Sequence, residues 1–151
     1  MYILNDDHTY REAKDRHEWS EFMAIGEKDP LHRHVGRTHF YVDEVEYCDL
    51  STVFLGLDHS FGRTDEPVLF ESMIFGGAEL DESMNRYSSW DEAEVGHQKL
   101  WLKINLVILD KFDTTRITHK KEGKATYIYF SLRVKSFVPL NEYDLRLIRE
   151  E

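Results

Sequence analysis

The sequence predicts an α+β fold: a single domain whose antiparallel or mixed sheet packs against one long helix. Residues 52–57 and 68–75 are short runs with apolar side chains on both faces, which is typical of central strands. Residues 89–109 have a helical apolar stripe, and residues 114–134 contain two strand-like runs around a turn. Runs of strands set apart from helices favour α+β over a doubly wound α/β arrangement.

The first fifty residues predict three strands and one helix. Residues 2–4 predict a short strand, and residues 12–25 predict a helix that ends at Gly26. After a loop, residues 38–42 and 45–50 predict two strands from their β-branched and aromatic content.

The two central strands are joined by a turn around Gly62. In the first of them, Val53 and Leu55 alternate with Thr52 and Phe54, so neither face is polar. The second strand is also apolar on both faces, and Gly76-Gly77 ends it. Both strands are therefore expected to be covered on both sides.

The long helix has the clearest signals. Ser89 and Glu92 form a capping box, in which the Ser hydroxyl caps a free backbone amide and the Glu side chain reaches back. Apolar residues and one histidine follow at spacings of three and four, and this stripe is expected to face the sheet. It consists of Trp90, Ala93, His97, Trp101, Ile104 and Ile108.

The end of the chain predicts a β-hairpin and a short terminal helix. Residues 114–119 and 126–134 flank a turn that contains Gly123. The second strand alternates, so that Tyr127 and Tyr129 are expected to face outward, and the terminal helix begins near Asn141.

Composition and charge restrict the class of protein. The chain has 151 residues, enough for one domain over residues 1–151, and its only cysteine is Cys48, so no internal disulfide can form. No segment is long and apolar enough to span a membrane, and no signal peptide is apparent, so a cytoplasmic protein is expected. The net charge of −10 makes nucleic acid an unfavourable partner, because phosphate contacts dominate that affinity.

Four polar residues in apolar surroundings are candidate catalytic residues: Asp58, His59, Glu71 and His97. If they converge, their side chains suit a divalent metal or acid–base chemistry. Each also has a structural interpretation. His97 would be a hydrogen-bonded core histidine, and Asp58 would cap the following turn. Glu71 would need a cationic partner, a hydrogen-bond network or a raised pKa.

Two other sets of residues were considered for metal binding or catalysis. His32, His34 and His39 have a zinc-like H-x-H-x4-H spacing, but they fall in and after a loop without cysteine. We interpret them as a surface cluster and expect no metal site there. Cys48 has no paired Cys–His signature that would support a nucleophile. No cofactor is expected, but a divalent metal is possible at the four candidate catalytic residues, and His32, His34 and His39 are weak candidates for metal ligands.

Three segments carry a resemblance to a known family. STVFLGLDHSFG at 51–62, PVLFESMIFGG at 67–77 and RYSSWDEAEVGH at 86–97 resemble successive segments of a widespread family of small phage and prophage proteins of unestablished function. All four candidate catalytic residues fall on positions that match its pattern. The resemblance covers about residues 1–110 and implies a phage product in a bacterial host cytoplasm. Members of that family tend to end near the long helix, so residues 111–151 form an extension.

These observations support two alternative functions. The first is a phage accessory protein that binds a host protein or a small nucleotide-like ligand in a counter-defence role, with Tyr127 and Tyr129 as candidate contacts. The alternative is a metal-assisted hydrolase that uses Asp58, His59, Glu71 and His97. A two-fold homodimer is also predicted, because apolar sheet faces left uncovered would need a partner.

Overall fold

A computed structural model describes residues 1–77, 80 and 84–133. It confirms the α+β fold, with one long helix packed on a sheet. The described strands are β1 (Tyr2–Leu4), β2 (Tyr10–Glu12), β3 (His34–Val42), β4 (Val45–Phe54), β5 (Phe70–Gly76), β6 (Met84–Tyr87), β7 (Thr114–Glu122) and β8 (Ala125–Leu132). The described helices are α1 (Arg16–Ala24), a 3-10 turn (Ile25–Glu27) and α2 (Trp90–Lys111).

The main sheet is mixed and has six strands in the order β6-β5-β4-β3-β8-β7. Strand β3 pairs antiparallel with β4 and parallel with β8, and the other neighbouring strands in this sheet are antiparallel. The pairing of β3 with β4 shifts by one residue after Phe40, which leaves Tyr47 as an extra residue in β4. This bulge moves residues 48–52 of β4 by one position relative to β3, until a second shift between His34 and Gly36 restores the register at Val53.

Helix α2 covers one face of the sheet. It begins at the predicted cap, where Ser89 Oγ accepts a hydrogen bond of 3.1 Å from the Glu92 amide. Its inward residues Leu100, Ile104 and Ile108 pack against buried sheet residues. The sheet contributes Phe40, Val42, Leu50, Ile128 and Phe130, among others.

The N-terminal elements cover the same face beside the start of α2. Strands β1 and β2 form a separate small sheet, and α1 is capped by Asp15, which accepts from the Glu18 amide at 2.8 Å. Phe22 of α1 packs edge to face on Phe54, in a cluster that also contains Phe70 and Trp90. The expected helix over 12–25 therefore begins later than predicted, because residues 10–12 pair with β1 instead.

The opposite face of the sheet, here called the open face, differs from the expectation. The runs 52–57 and 68–75 were expected to be apolar on both sides apart from Glu71, and Glu71 lies on this face; the neighbouring residues Arg37, His39 and Asp49, outside those runs, add further charged and polar groups to it. Sequence runs 45–50 and 52–57 also form one strand, β4, which ends at Phe54.

Strands β2 and β6 were missed by the prediction, and the hairpin of β7 and β8 is confirmed. The predicted terminal helix near Asn141 lies outside the described residues.

Candidate functional site

His97 lies where the apolar stripe of α2 meets the sheet, and it is only 9% exposed, as predicted. Its Nε2 is 3.0 Å from Thr38 Oγ1 on β3, and its Nδ1 is 2.7 Å from Thr52 Oγ1 on β4. Burial lowers the pKa of His97 to about 4, so the ring is neutral at physiological pH. Because each ring nitrogen has a hydrogen-bond partner, His97 fits its interpretation as a hydrogen-bonded core histidine.

The partners of His97 belong to a longer buried chain of hydroxyl groups. The Tyr87 hydroxyl donates to Ser72 Oγ at 3.2 Å, and Ser72 Oγ is 2.6 Å from Thr52 Oγ1. Each hydroxyl has one proton to donate, so a complete chain runs from Tyr87 through Ser72 and Thr52 to His97 Nδ1. We infer that the His97 proton is on Nε2 and is donated to Thr38.

Two glycines make room for these rings. A Cβ on Gly96 would lie 2.2 Å from Cζ and from the hydroxyl oxygen of Tyr87, far inside normal contact. A Cβ on Gly36 would lie 3.2 Å from His97 Nε2. The glycine before His97 thus allows the Tyr87 ring to cross α2 and reach Ser72.

Above His97 lies a cleft between α2, β3 and the β7–β8 hairpin, here called the α2–hairpin cleft, with a volume of about 230 Å³. Its lining combines an aromatic ring, hydroxyl and amide groups, and charged side chains from three elements. The lining residues are Val35, Gly36, Thr38, Glu94, His97, Gln98, Trp101, Lys121, Gly123, Lys124 and Thr126.

Two features of this cleft favour a polar occupant. The Trp101 indole nitrogen is buried and has no hydrogen-bond partner within the described part of the chain. Lys124 Nζ donates to the carbonyls of Leu31 and His32 at 3.0 and 3.1 Å, and burial lowers its pKa while Asp29 opposes that shift. A buried donor without a partner is costly, so an acceptor that reached the Trp101 N–H would stabilise the protein.

Asp58 and His59 occupy the loop after β4. Asp58 Oδ1 accepts from the amides of Ser60 and Val68 at 2.8 and 2.9 Å, and these bonds lower its pKa. The His59 Nδ1–H donates to the Leu57 carbonyl at 2.8 Å. Asp58 thus caps a turn, as its structural interpretation predicted.

Glu71 has the cationic partner that we predicted for it. Its Oε2 lies 3.0 Å from Arg86 Nε on the neighbouring strand β6. Its neighbour Ser72 points to the buried face that holds His97, so Glu71 and His97 lie on opposite faces of the sheet. Among the described contacts, no hydrogen bond or ion pair joins one of the four candidates to another, so the structure does not bring them together.

A different cluster, which the sequence did not suggest, lies on the open face. His39 Nδ1–H donates to Asp49 Oδ1 at 2.6 Å, and Arg37 Nη2 lies 3.3 Å from Asp49 Oδ2. Glu46 is close enough that His39, Glu46 and Asp49 each offer a ligand atom within 4.8 Å of the others. Asp49 raises the pKa of Glu46 by charge repulsion, and burial adds to that shift. These three residues could hold a metal ion.

The histidines of the H-x-H-x4-H motif do not gather. The His32 Nε2–H donates to the Phe22 carbonyl at 2.9 Å, whereas His34 Nε2 is 3.2 Å from Ser51 Oγ. Burial, with help from Arg37, lowers the pKa of His34 to about 4. Only His39 belongs to a group with metal-ligand chemistry, and its partners come from β4.

The two candidate ligand-binding tyrosines stand on the open face, as the alternation predicted. Tyr127 stacks on His39 with ring centroids 4.9 Å apart, and Tyr129 stacks on Tyr41 at 5.0 Å. The broad ring faces are thus occupied by one another, so this surface presents ring edges and hydroxyl groups.

Cys48 lies on the opposite, buried face, where burial raises its thiol pKa to about 12. It is a core residue with no free thiolate at neutral pH.

Comparison with protein-family models, curated proteins and solved structures finds no match. The resemblance to a phage and prophage family therefore stays a prediction. No helix within the described residues is long and apolar enough to cross a membrane.

Proposed function

We propose that this protein is a phage or prophage accessory protein that binds a small nucleotide-like anion in the α2–hairpin cleft. The observation that carries this proposal is that one cleft is lined by two lysines, by His97 and by Trp101, whose buried N–H has no hydrogen-bond partner among the described residues. Ligand sites in proteins are typically concave and combine apolar walls with a few converging polar groups. The cellular role that we propose, interference with host defence, rests on the sequence resemblance alone.

The charges of the cleft favour an anion although the chain as a whole is acidic. Lys121 and Lys124 come from opposite sides of the Gly123 turn, and among the described lining residues Glu94 is the only acidic one. Gln98 and Thr126 add groups that can both donate and accept hydrogen bonds. A phosphate at the lysines and a flat ring near Trp101 would use all of these groups.

The size of the cleft limits the ligand. Its volume of about 230 Å³ is below the range of about 300–1,000 Å³ that is typical of pockets for drug-sized ligands. A mononucleotide would therefore project partly into solvent, while a phosphate or a base alone would fit inside.

Thermal unfolding with inorganic phosphate, adenosine and AMP as separate probes tests the proposal. Ligand at a hundred times its Kd stabilises a protein by about 2.7 kcal/mol, which is about 5–10 °C for a chain of this length. We expect AMP to raise the Tm most, phosphate to raise it less, and Lys121→Gln or Trp101→Phe to weaken both effects.

Lys120→Gln is the matched control. Lys120 is the neighbour of Lys121 in β7, but it pairs with Tyr127 on the open face and contacts Glu122 at 2.7 Å. Its loss should leave the AMP response unchanged. No Tm shift with any probe at millimolar concentration, or equal losses in the Lys120 and Lys121 variants, would contradict the proposal.

A second candidate function, binding of a divalent cation, is favoured by the His39, Glu46 and Asp49 cluster. One imidazole and two carboxylates are a ligand set that suits Zn²⁺ or Mn²⁺. The repulsion that raises the pKa of Glu46 would be relieved by a cation between the two carboxylates. The ion pair of Asp49 with Arg37 opposes binding, because it already neutralises one carboxylate.

Calorimetric titration with Zn²⁺ and Mn²⁺ tests this second function. We expect one site per chain, lost in His39→Ala and in Glu46→Gln. Glu71→Gln is the control, since it removes a carboxylate of the same face that is paired with Arg86. Equal binding by all variants would mean that the ion binds elsewhere.

The geometry favours binding over the hydrolase alternative. The residues proposed for metal-assisted hydrolysis, Asp58, His59, Glu71 and His97, are divided between a loop and the two faces of the sheet. A host-protein partner remains the other form of the binding proposal, and the hydroxyls of Tyr127 and Tyr129 on the open face are its candidate contacts.

A further inference from the structure

Helix α2 has a second apolar stripe, whose large side chains stay exposed in the structure of residues 1–77, 80 and 84–133. Four large apolar side chains on it are 43–59% exposed: Val95, Leu102, Leu106 and Leu109. At about 100° per residue they fall within an arc of about 60° on the helix, opposite the buried Ile104 and Ile108. A helix that buries one face normally has a polar outer face. The outer face of α2 instead has this row of four apolar side chains, here called the outer stripe.

Leu102 and Leu106 of the outer stripe line a shallow groove of about 460 Å³, and the spacing of its lining positions, though not their residue types, is symmetric along the helix. The lining residues are Lys99, Leu102, Lys103, Leu106, Val107 and Asp110. Reversal of the helix about a point between Ile104 and Asn105 exchanges position 99 with 110, position 102 with 107, and position 103 with 106. A second α2 placed antiparallel about that point would therefore meet the same groove that it presents.

The charges at the ends of the groove are complementary in this arrangement. Lys99 and Asp110 lie on the same flank of the outer stripe, and in an antiparallel pair with two-fold symmetry the same flanks face each other. Lys99 of each copy would then face Asp110 of the other. Within the described residues, neither side chain forms an ion pair in the single chain.

We propose that the occupant of the outer stripe is a second copy of this chain, bound through antiparallel α2 helices in a two-fold dimer. Leu102 and Leu106 of each copy pack on Leu106 and Leu102 of the other, and two Lys99–Asp110 pairs close the ends. This inference does not depend on the ligand proposed above, because the α2–hairpin cleft lies on another side of α2.

The small size of this contact sets the affinity that we expect. One pair of short helical stripes buries less than the about 1,600 Å² of a standard protein interface. Contacts below the standard size are typically weak and transient, so we expect a dissociation constant of about 10 μM in order of magnitude. The dimer should therefore dissociate within the concentration range of ordinary solution measurements.

Sedimentation equilibrium of the full chain across a dilution series, from about 1 to 300 μM, measures this dissociation constant. Leu106→Glu should weaken association at least about 100-fold, because it places a charge in the centre of the contact. Circular dichroism should show an unchanged fold, since the side chain is exposed in the single chain. A monomer at all concentrations, or a dimer unaffected by Leu106→Glu, would overturn the proposal.

Charge reversal tests the antiparallel register. Lys99→Asp and Asp110→Lys should each weaken self-association about 10- to 30-fold, because each turns two attractive pairs into two repulsive ones. An equimolar mixture of the two single variants should associate nearly as well as the wild type, since both pairs in the mixed dimer are again of opposite charge. The Lys99→Asp, Asp110→Lys double variant should also recover. Lys120→Asp, a reversal on the hairpin, should have no effect.

The equimolar mixture of Lys99→Asp and Asp110→Lys is the decisive experiment. If the two single variants remain monomeric together, the helices do not meet in this register and the proposal is wrong. If the two single variants associate with each other but not with themselves, the contact must include Lys99 and Asp110. A dimer formed through the open face of the sheet would not give that result.

Discussion

Gly96→Ala tests the packing that carries the buried hydroxyl chain. Ala is the better helix former, so this change alone would stabilise the middle of a helix by about 1 kcal/mol. In this chain the new Cβ would meet Tyr87 Cζ and its hydroxyl oxygen at 2.2 Å, whereas ordinary contact begins near 3.4 Å. The ring must move by more than 1 Å, which separates its hydroxyl from Ser72.

The two effects can be compared in magnitude. Overpacking of this kind costs about 1–3 kcal/mol, and loss of one hydrogen bond adds about 1 kcal/mol. After subtraction of the helix-propensity gain, we expect Gly96→Ala to lower the free energy of unfolding by about 1–3 kcal/mol. For a chain of this length, that is a fall in Tm of about 3–10 °C.

Urea unfolding followed by circular dichroism measures this change in two backgrounds. In the Tyr87→Ala background no ring opposes the new methyl group, so Gly96→Ala should become stabilising by up to about 1 kcal/mol. This reversal of sign separates the steric effect from any general intolerance of α2 to substitution. A neutral or stabilising effect of Gly96→Ala in the wild-type background would refute the packing argument.

Three further predictions concern the buried polar groups. His97 and His34 have a pKa of about 4 when folded and near 6.5 when unfolded. Their contribution to the free energy of unfolding is therefore fully present above pH 6.5 and is lost as the pH is lowered towards 4, because the unfolded chain takes up the protons first. For His97 the loss is up to about 3 kcal/mol, and His97→Leu should flatten the acid limb of a stability–pH curve. Thr52→Val should destabilise the protein by about 1–3 kcal/mol in urea unfolding, because His97 Nδ1 and Ser72 both lose a buried partner; an unchanged midpoint would exclude the hydroxyl chain. The Cys48 thiol should not react with a disulfide reagent at pH 8 until urea unfolds the chain, and rapid native reaction would contradict its burial.

The sequence was informative where local patterns determine structure. The capping box and the three- and four-residue spacing located α2 and placed His97 against the sheet, because both signals depend on neighbours within one or two turns. Alternation correctly placed Tyr127 and Tyr129 outward. For Glu71, the expected compensation of a partly buried carboxylate takes the first of its three predicted forms, a cationic partner, which is Arg86 on the unpredicted strand β6.

The His39 cluster shows what local patterns cannot provide. A plain hairpin with Asp43 and Glu44 at its turn would place His39 opposite Cys48. The bulge at Tyr47 shifts the register by one residue, so that His39 faces Asp49 instead. A bulge has no strong sequence signal, and a one-residue shift exchanges every cross-strand pair beyond it. The α2–hairpin cleft was missed for a related reason, since it depends on the pairing of β8 with β3 across a long stretch of chain.

That parallel pairing also has a consequence for how the chain folds. Arg37 pairs with Ala125, so β3 has only one neighbour until about 88 further residues have been made. At a synthesis rate of about 5–20 residues per second, the second edge of β3 stays open for about 4–18 seconds on the ribosome. Its unpaired amides and carbonyls are then available to any other strand, including one from a neighbouring nascent chain. The short β7–β8 hairpin ends this interval when it docks, so slow synthesis or truncation before β8 should favour aggregation of the chain over its native fold.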